Sequence, residues 1–270
     1  MDEILSYLLG DLGALKACSL TCKRLLGATR PLIHQRLACF DSRSDHPKPK
    51  VSLFSCRKKD PGVFDRLIDA DRSGILPYTQ HLIFQPKYHY SDPRFTPSDL
   101  QEYSPYLRSI TKLHTLTLDS FYLPQFIPVF DEYFGVFTNT LRHLDIRRAY
   151  GTEQQLLYIV CQFPLLEDLS IGYSRWERAE KHPAPVVTQS PPLRGKLILA
   201  RPVSKELSDG LMAFPGGLNF HSLELFRCGN MNTRAILAAC GHTAASVSYF
   251  WHSQADGGES SPSIQVYTVM

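Results

Sequence analysis

The phrases LRHLDI, at residues 141–146, and LEDLSI, at residues 166–171, decide the fold because they are two copies of one pattern. Both read Leu-x-x-Leu-x-Ile, in which apolar and polar residues alternate as they do in a half-buried β-strand. Two further clear copies are LHTLTL at 113–118 and FHSLEL at 220–225. Weaker copies are TQHLIF at 79–84, RGKLIL at 194–199 and AASVSY at 244–249. The chain therefore carries seven candidate strands of one design.

The spacing of these copies indicates a repeat architecture. Their fourth residues are separated by 34, 28, 25, 28, 26 and 24 residues, and five of these six intervals fall within the range of leucine-rich repeats. Leu53 lies 29 residues before Leu82 and predicts an eighth, degenerate copy. The fourth residues that define the intervals are Leu82, Leu116, Leu144, Leu169, Leu197, Leu223 and Val247.

Between the phrases the apolar period changes from two to about 3.6, as expected of helices that connect parallel strands. Apolar residues at helical spacing occur within 100–110, 126–137, 156–163 and 236–240. Thr152 and Gln155 stand at the spacing of a capping box before the third segment. Such a unit cannot cover its own apolar face, so successive units stack. The sequence predicts an α/β leucine-rich-repeat solenoid, with parallel strands and outer helices, over residues 63–253.

Function in such a solenoid is expected on the strand positions that point away from the core, which here are the third, fifth and seventh. These positions are polar and of mixed charge, a pattern typical of a protein-binding face and also of a merely solvated one. Adjacent parallel strands lie about 4.8 Å apart, so we expect His143 beside Asp168, and Asp168 beside Lys196. The candidate substrate-binding residues are His143, Asp145, Arg147, Asp168, Lys196, Glu224 and Phe226.

Residues 1–40 lie outside the repeat and predict a small all-α module. Their apolar residues form three short helical faces, the last of which is expected to start at Pro31. Short helices with exposed leucines and no large core indicate an interface module. A helical cap over the first repeat would show the same pattern. The three faces comprise Ile4, Leu5, Leu8 and Leu9; Leu15, Cys18, Cys22 and Leu25; and Leu32, Ile33 and Leu37.

This module resembles an F-box, in the form found in basidiomycete fungal F-box proteins with leucine-rich repeats. The strings that carry the resemblance are DEILSYLLG (2–10), LKACSLTCKRLL (15–26) and ATRPLIHQRL (28–37). The strings PLRGKLIL (192–199), FPGGLNFHSLELFRCGN (214–230) and ILAACGHTAASVSYF (236–250) are similar to the C-terminal repeats of the same proteins. The Leu-Pro that usually precedes the acidic residue is absent before Glu3, which indicates a degenerate F-box or a misplaced start codon.

The resemblance implies that the chain is a substrate-recognition adaptor of an SCF (Skp, cullin, F-box) ubiquitin ligase. The F-box would dock on the small acidic Skp-type adaptor, and through it on cullin, while the repeats hold a protein substrate. Such an adaptor uses no cofactor and is not an enzyme. The alternative is a protein-binding scaffold with a degenerate F-box and no ligase role. The residues that match the family's adaptor-binding motif are Glu3, Ile4, Leu5, Leu15, Lys16, Leu20, Cys22, Lys23 and Arg24.

Composition narrows the functional classes further. Among 270 residues, 29 are basic and 26 acidic, and a net charge of +3 does not favour a nucleic acid or a membrane as partner. The sequence has no long apolar run, and its first residues are acidic where a secretory signal is basic, so we expect the cytoplasm, the nucleus or both. The polar stretch 41–62 predicts a linker, and 254–270 a flexible segment with a possible terminal strand.

The sequence favours neither a structural zinc site nor a hydrolase triad. Seven scattered cysteines are typical of reduced thiols, and Cys18, Cys22 and His34 lack the second ligand pair of a structural zinc site. Ser170, His143 and Asp168 face the same way on neighbouring candidate strands, as a hydrolase triad would. An open strand face offers no strained nucleophile turn and no oxyanion hole, so the sequence does not favour catalysis or a metal.

Overall fold

The computed structural model describes residues 11–21, 23–40, 65–85, 97–172, 175–176, 191, 193–200, 203–214, 217–226, 231–251 and 263–267. The chain divides into two compact units, Met1–Leu116 and Thr117–Met270. The division falls within strand β3, Thr115–Asp119. Each unit alternates helices with strands, so the chain has an α/β fold with parallel strands, as the sequence predicts.

In the described part of the first unit, the first two helices pack on each other through Leu15 and Ile33, with Ala28 and Leu32 beside them. Strand β1 follows and pairs in parallel with β2, so that the buried Leu37 lies opposite the buried Leu82. The elements before β3 are α1 (Leu12–Thr21), α2 (Lys23–Ile33), β1 (Arg36–Phe40), α3 (Asp65–Arg72), a 3-10 turn (Leu76–Tyr78), β2 (His81–Gln85) and α4 (Pro97–Arg108).

The second unit repeats a strand and a helix several times. Its first connection is made of short helical pieces, α5 (Leu123–Phe126), a 3-10 turn (Ile127–Val129), α6 (Phe130–Phe134) and a second 3-10 turn (Gly135–Phe137). The elements that follow are β4 (His143–Arg147), β5 (Tyr150–Gly151), α7 (Glu153–Cys161), β6 (Asp168–Ile171), β7 (Arg175–Trp176), β8 (Lys196–Leu199), α8 (Lys205–Met212), β9 (Ser222–Phe226), α9 (Met231–Cys240), β10 (Ser246–Trp251) and β11 (Ser263–Tyr267).

The long strands of this unit form one sheet in sequence order. Strands β4, β6, β8, β9 and β10 pair in parallel, and β11 pairs antiparallel with β10. The register confirms the alignment made from the sequence, because the fourth residues of successive phrases lie directly opposite one another. That buried row is Leu144, Leu169, Leu197, Leu223 and Val247.

Polar contacts between consecutive helices hold this stack together beside the apolar core. Tyr158 donates a hydrogen bond through its hydroxyl to Asp131 Oδ2 (2.7 Å), and Ser204 Oγ donates to Glu153 Oε1 (2.8 Å). The predicted capping box before α7 is confirmed, since Thr152 Oγ1 accepts from the Gln155 N–H (3.2 Å) and the reciprocal bond is present. The aromatic residues of the first connection are buried in the core, namely Phe121, Phe126, Phe130, Phe134 and Phe137.

The structure corrects the predicted N-terminal module in two places. Helix α2 continues from Lys23 to Ile33, so no separate helix starts at Pro31. Pro31 lies in the last turn of this helix, where its missing N–H removes one helical hydrogen bond. Leu37 lies in β1, where pairing with β2 buries it, so residues 36–40 are strand rather than part of an all-α module. The expected eighth copy at Leu53 and the linker 41–62 lie outside the described residues.

Candidate functional site

Parallel pairing in the second unit arranges the outward-facing residues in two transverse rows. These side chains are half-exposed, whereas the leucines that alternate with them are buried. The first row contains His143, Asp168, Lys196, Ser222 and Ser246, and the second contains Asp145, Ser170, Ile198, Glu224 and Ser248. We call the seven predicted substrate-binding residues among and beside these rows the strand face: His143, Asp145, Arg147, Asp168, Lys196, Glu224 and Phe226.

Asp168 is the second residue of the first row and lies between His143 and Lys196. His143 Nδ1 lies 2.6 Å from Asp168 Oδ2, which confirms the predicted neighbours. Asp168 Oδ1 accepts a hydrogen bond from the backbone N–H of Lys196 at 2.5 Å. A Cβ atom on Gly195 would lie only 1.6 Å from that oxygen, so the glycine makes room for the carboxylate. Asp168 therefore fastens β4 to β8 from its position on β6.

Two further ion pairs lie on the strand face. The Lys196 ammonium lies 2.7 Å from Glu224 Oε1, so it turns toward β9, and only its backbone N–H reaches Asp168. The exposed guanidinium of Arg147 pairs with Asp145 Oδ2 on the same strand. The other oxygen, Asp145 Oδ1, is buried and has no hydrogen-bond partner within the part of the chain that the structure describes. The charges of this surface thus neutralise one another pairwise.

A fourth pair, between Asp119 and Arg148, was not among the predicted site residues. Arg148 Nε and one terminal nitrogen donate to the two carboxylate oxygens of Asp119 at 2.7 and 2.6 Å, a bidentate geometry. Hydrogen bonding to Asp119 raises the pKa of Arg148. The arginine follows the end of β4 with a φ of 50°, a left-handed conformation that periodicity does not reveal.

The aromatic residue of the strand face, Phe226, lies half-exposed at the last position of β9. Its register partner on β10 is Phe250. The face therefore ends in a half-exposed aromatic side chain, two residues after Glu224 on the same strand. Aromatic side chains are enriched in protein interfaces, and the rim of such interfaces is polar.

The predicted adaptor-binding residues separate into four groups. Leu20 and Lys16 lie exposed on α1, and Leu20 is 87% exposed. Leu15 is 1% exposed and packs on Ile33, so it holds the helix pair together and does not present a contact surface, contrary to the prediction. Lys23 and Arg24 open α2. Glu3, Ile4, Leu5 and Cys22 lie outside the described residues.

Cys161 and Cys240 are the two free cysteines of the second unit that the structure describes. Burial raises the pKa of Cys161 to about 12 and that of Cys240 to about 11, so both thiols stay protonated at neutral pH. Across the described ranges, no cluster of three or more His, Cys, Asp or Glu side chains is placed to hold a metal ion. What the strand face offers is complementary charge with an aromatic edge.

The comparisons with family models and with curated proteins add no similarity to these structural observations. No protein-family model matches the chain, and no curated protein matches it. Among the described residues, no helix is both long and apolar enough to cross a membrane.

Proposed function

We propose that the chain is a substrate-recognition adaptor of an SCF-type ubiquitin ligase, in which an N-terminal F-box docks the Skp-type adaptor and leucine-rich repeats bind a protein substrate. The proposal keeps the expectations of no enzymatic activity and of a cytoplasmic or nuclear location. Its mechanism is proximity, because a substrate and a ligase held on one chain meet at a high effective concentration.

The observation that carries the substrate-binding half is the strand face. Five parallel strands present polar residues in register, and four of them, β4, β6, β8 and β9, carry the charged ones, at intervals that match leucine-rich repeats. Each of these four strands contributes one to three side chains to the strand face, so a protein partner can be contacted over several repeats at once. Ion pairs that are already formed, such as Lys196–Glu224, can exchange one partner for a charge on the substrate.

The ligase-binding half is supported by α1. Leu20 is 87% exposed on a short helix, so a partner that covered it would remove its apolar surface from water and gain binding free energy. Leu20 falls on the Leu-x-Cys-Lys/Arg segment through which the sequence resembles an F-box. The buried Leu15 packs α1 against α2, so Leu20 extends from a helix that is held in place.

The deciding experiment is a pull-down of the purified 270-residue chain with a fungal Skp-type adaptor, followed by cullin. We expect the wild type to retain both proteins, and Leu20→Ala, alone or with Leu5→Ala, to lose them. Leu165→Ala is the matched control, because Leu165 is a partly exposed leucine of the second unit, outside the predicted docking residues. Circular dichroism of each variant verifies that it is folded.

The alternative function is a repeat scaffold that recruits no ligase. It shares the strand face and differs only at the N-terminal helices, which would then serve as a cap. The experiment separates the two functions, because a scaffold would fail to bind the adaptor. An extended protein that starts upstream of Met1 is tested in parallel, since binding by that protein alone would show that the F-box begins earlier.

A further inference from the structure

The residues just before strands β4, β6, β8 and β9 lie side by side along the amino-terminal edge of the second unit's sheet. The Glu167 N–H donates to the Arg142 carbonyl oxygen at 2.8 Å, and the Gly195 N–H donates to the Glu167 carbonyl oxygen at 3.0 Å. The His221 N–H in turn donates to the Gly195 carbonyl oxygen at 3.0 Å. We call the exposed and half-exposed side chains of these segments the amino edge: Arg142, Leu165, Glu167, Arg194 and His221.

Arg194 differs in its pairing from most other cations of this unit. Five basic side chains of the second unit each pair with a carboxylate, namely Arg142, Arg147, Arg148, Lys196 and Lys205. The exposed guanidinium of Arg194 has no ion-pair or hydrogen-bond partner among the described residues. The carboxylate of the neighbouring segment, Glu167, pairs instead with Arg142 Nη1 at 2.5 Å. The amino edge therefore carries one positive charge that the described part of the chain does not neutralise.

The backbone around Arg194 is held on both sides. Leu193 is buried in a left-handed conformation, with a φ of 43°, and its N–H donates to the Leu166 carbonyl oxygen at 3.2 Å. The Nδ1–H of His221 donates to the Arg194 carbonyl oxygen at 2.6 Å. Arg194 thus extends into solvent from a fixed backbone, and a fixed site loses less conformational entropy when it binds.

Leu165 indicates which kind of anionic partner fits this edge. It is 39% exposed, and it precedes the buried Leu166, to whose carbonyl oxygen the residue before Arg194 is bonded. An exposed apolar side chain close to an unpaired cation is complementary to a protein segment that carries an acidic and an apolar residue. A nucleic acid would rely on phosphate contacts, which Leu165 cannot make and which the Glu167 carboxylate would repel.

We propose that the amino edge is a docking site for an acidic segment of a partner protein. One carboxylate of that segment pairs with the Arg194 guanidinium, whose planar fork can donate two hydrogen bonds to it. An apolar side chain of the same segment covers Leu165. The inference goes beyond the proposed function and does not rest on it, because the amino edge belongs neither to the strand face nor to the N-terminal helices.

The first test is fluorescence anisotropy of a labelled glutamate-rich peptide, with one central leucine, added to the full chain at about 0.1 M salt. We expect Arg194→Glu to weaken binding about tenfold. Lys205→Glu, which reverses an exposed lysine of the same unit, is the matched control and should change it by less than about twofold. Arg194→Lys keeps the charge but not the fork, so it should bind with intermediate affinity.

The second test examines the apolar contact with the same peptide carrying serine in place of its leucine. We expect Leu165→Ala to weaken binding of the leucine peptide about threefold and to leave the serine peptide unaffected. Met212→Ala, at a methionine that is 44% exposed, is the matched control and should alter neither.

Four results would overturn the proposal. They are no binding of the peptide by the wild type, equal loss in Arg194→Glu and Lys205→Glu, no effect of Leu165→Ala, and tighter binding of single-stranded DNA than of the peptide. The pull-down with the Skp-type adaptor is a separate test, since Arg194 and Leu165 lie outside the predicted docking residues. The variants at these two positions should therefore bind the adaptor as the wild type does.

Discussion

The strand face and the N-terminal helix pair handle charge in opposite ways. On the strand face, Lys196 meets Glu224 and Arg147 meets Asp145, so complementary charges lie side by side in a register set by the sheet. On the helix pair, burial and then the positive charges of Arg30 and Lys16 lower the pKa of His34. The strand face neutralises its own charges, whereas on the helix pair two positive charges act on one histidine.

The two regions also differ in how much they contribute to the free energy of unfolding. On the strand face, the side chains of paired strands lie side by side, so a polar group on one strand finds its hydrogen-bond or ion-pair partner on the next strand. These contacts contribute to stability. The helix pair buries a small core and leaves Leu20 in water, an arrangement that contributes little to folding. Stability measurements can therefore separate the two regions.

The largest expected contrast is between two leucines of these regions. Leu197 is fully buried in the row of repeat leucines, whereas Leu20 is 87% exposed. We expect Leu197→Ala to lower the free energy of unfolding by about 3 kcal/mol, because it removes buried methyl groups and leaves a cavity. Leu20→Ala should change it by less than about 0.5 kcal/mol. Denaturant unfolding followed by far-UV circular dichroism measures both, and similar costs would contradict the assigned roles.

The second prediction concerns Gly195, which lies beside the Asp168 carboxylate of the strand face. Gly195→Ala places a Cβ atom 1.6 Å from Asp168 Oδ1, so the carboxylate must leave the Lys196 N–H. We expect a loss of about 2 kcal/mol in the free energy of unfolding. Gly135→Ala, where an added Cβ meets nothing within 4 Å, is the matched control and should be nearly neutral.

A double-mutant cycle identifies the cause of that loss. Replacing Asp168 by alanine removes the atom with which the new methyl group collides. Gly195→Ala should therefore cost markedly less in the Asp168→Ala background than in the wild type. Equal costs in the two backgrounds would place the strain elsewhere, for example at the Glu167 carbonyl, which lies 3.1 Å from the added Cβ.

The sequence predicts much of the repeat unit and less of its site. Spacing alone aligned Leu144 with Leu169 and Leu197, because every strand repeats one buried pattern, and the structure confirms that register. It also placed His143 beside Asp168. It did not predict that Lys196 would turn toward Glu224, because side-chain choice between two neighbouring carboxylates depends on atomic geometry.

Other features escaped prediction for equally physical reasons. The Asp119–Arg148 pair depends on a left-handed residue after β4, which no periodicity marks. Strand β1 was missed because RLACF follows a helical segment and lacks the leucine phrase of the repeats. Its assignment as a strand depends on pairing with β2, which is a long-range contact. Local patterns predict elements well, whereas the partners of those elements require the fold.

A smaller effect distinguishes the two units by pH, and Glu153 represents the second unit. Burial raises the pKa of this carboxyl, even though Ser204 donates a hydrogen bond to it. The folded state therefore binds its proton more tightly than the unfolded state, so stability is greatest below the unfolded pKa of about 4.3 and declines as pH rises through the folded pKa. Glu153→Gln keeps an acceptor for Ser204 and should remove this decline.

The free energy of unfolding of wild type and Glu153→Gln is measured by denaturant titration from about pH 4 to about pH 8, a range that spans the ordinary pKa values of carboxyl and imidazole groups. We expect the variant to gain relative stability toward neutral pH. Glu132→Gln, at an exposed position of α6, serves as the control and should track the wild type. A constant difference between wild type and Glu153→Gln across this range would show that the carboxyl has no role in the pH dependence.

The smallest expected effect has the opposite sign and lies in the helix pair. Burial and the charges of Arg30 and Lys16 lower the pKa of His34, so the folded state binds this proton less tightly than the unfolded state. The stability that neutral His34 contributes is present above the unfolded pKa of about 6.5 and is lost as pH falls through the folded pKa. His34→Gln should therefore lose less stability than the wild type on acidification. The same unfolding titrations measure this, with Lys16→Gln expected to reduce the wild-type loss by removing one repelling charge. If acid destabilised wild type and His34→Gln equally, His34 would not be the cause of the stability lost in acid. The contrast with the self-neutralising strand face would then lose its electrostatic basis.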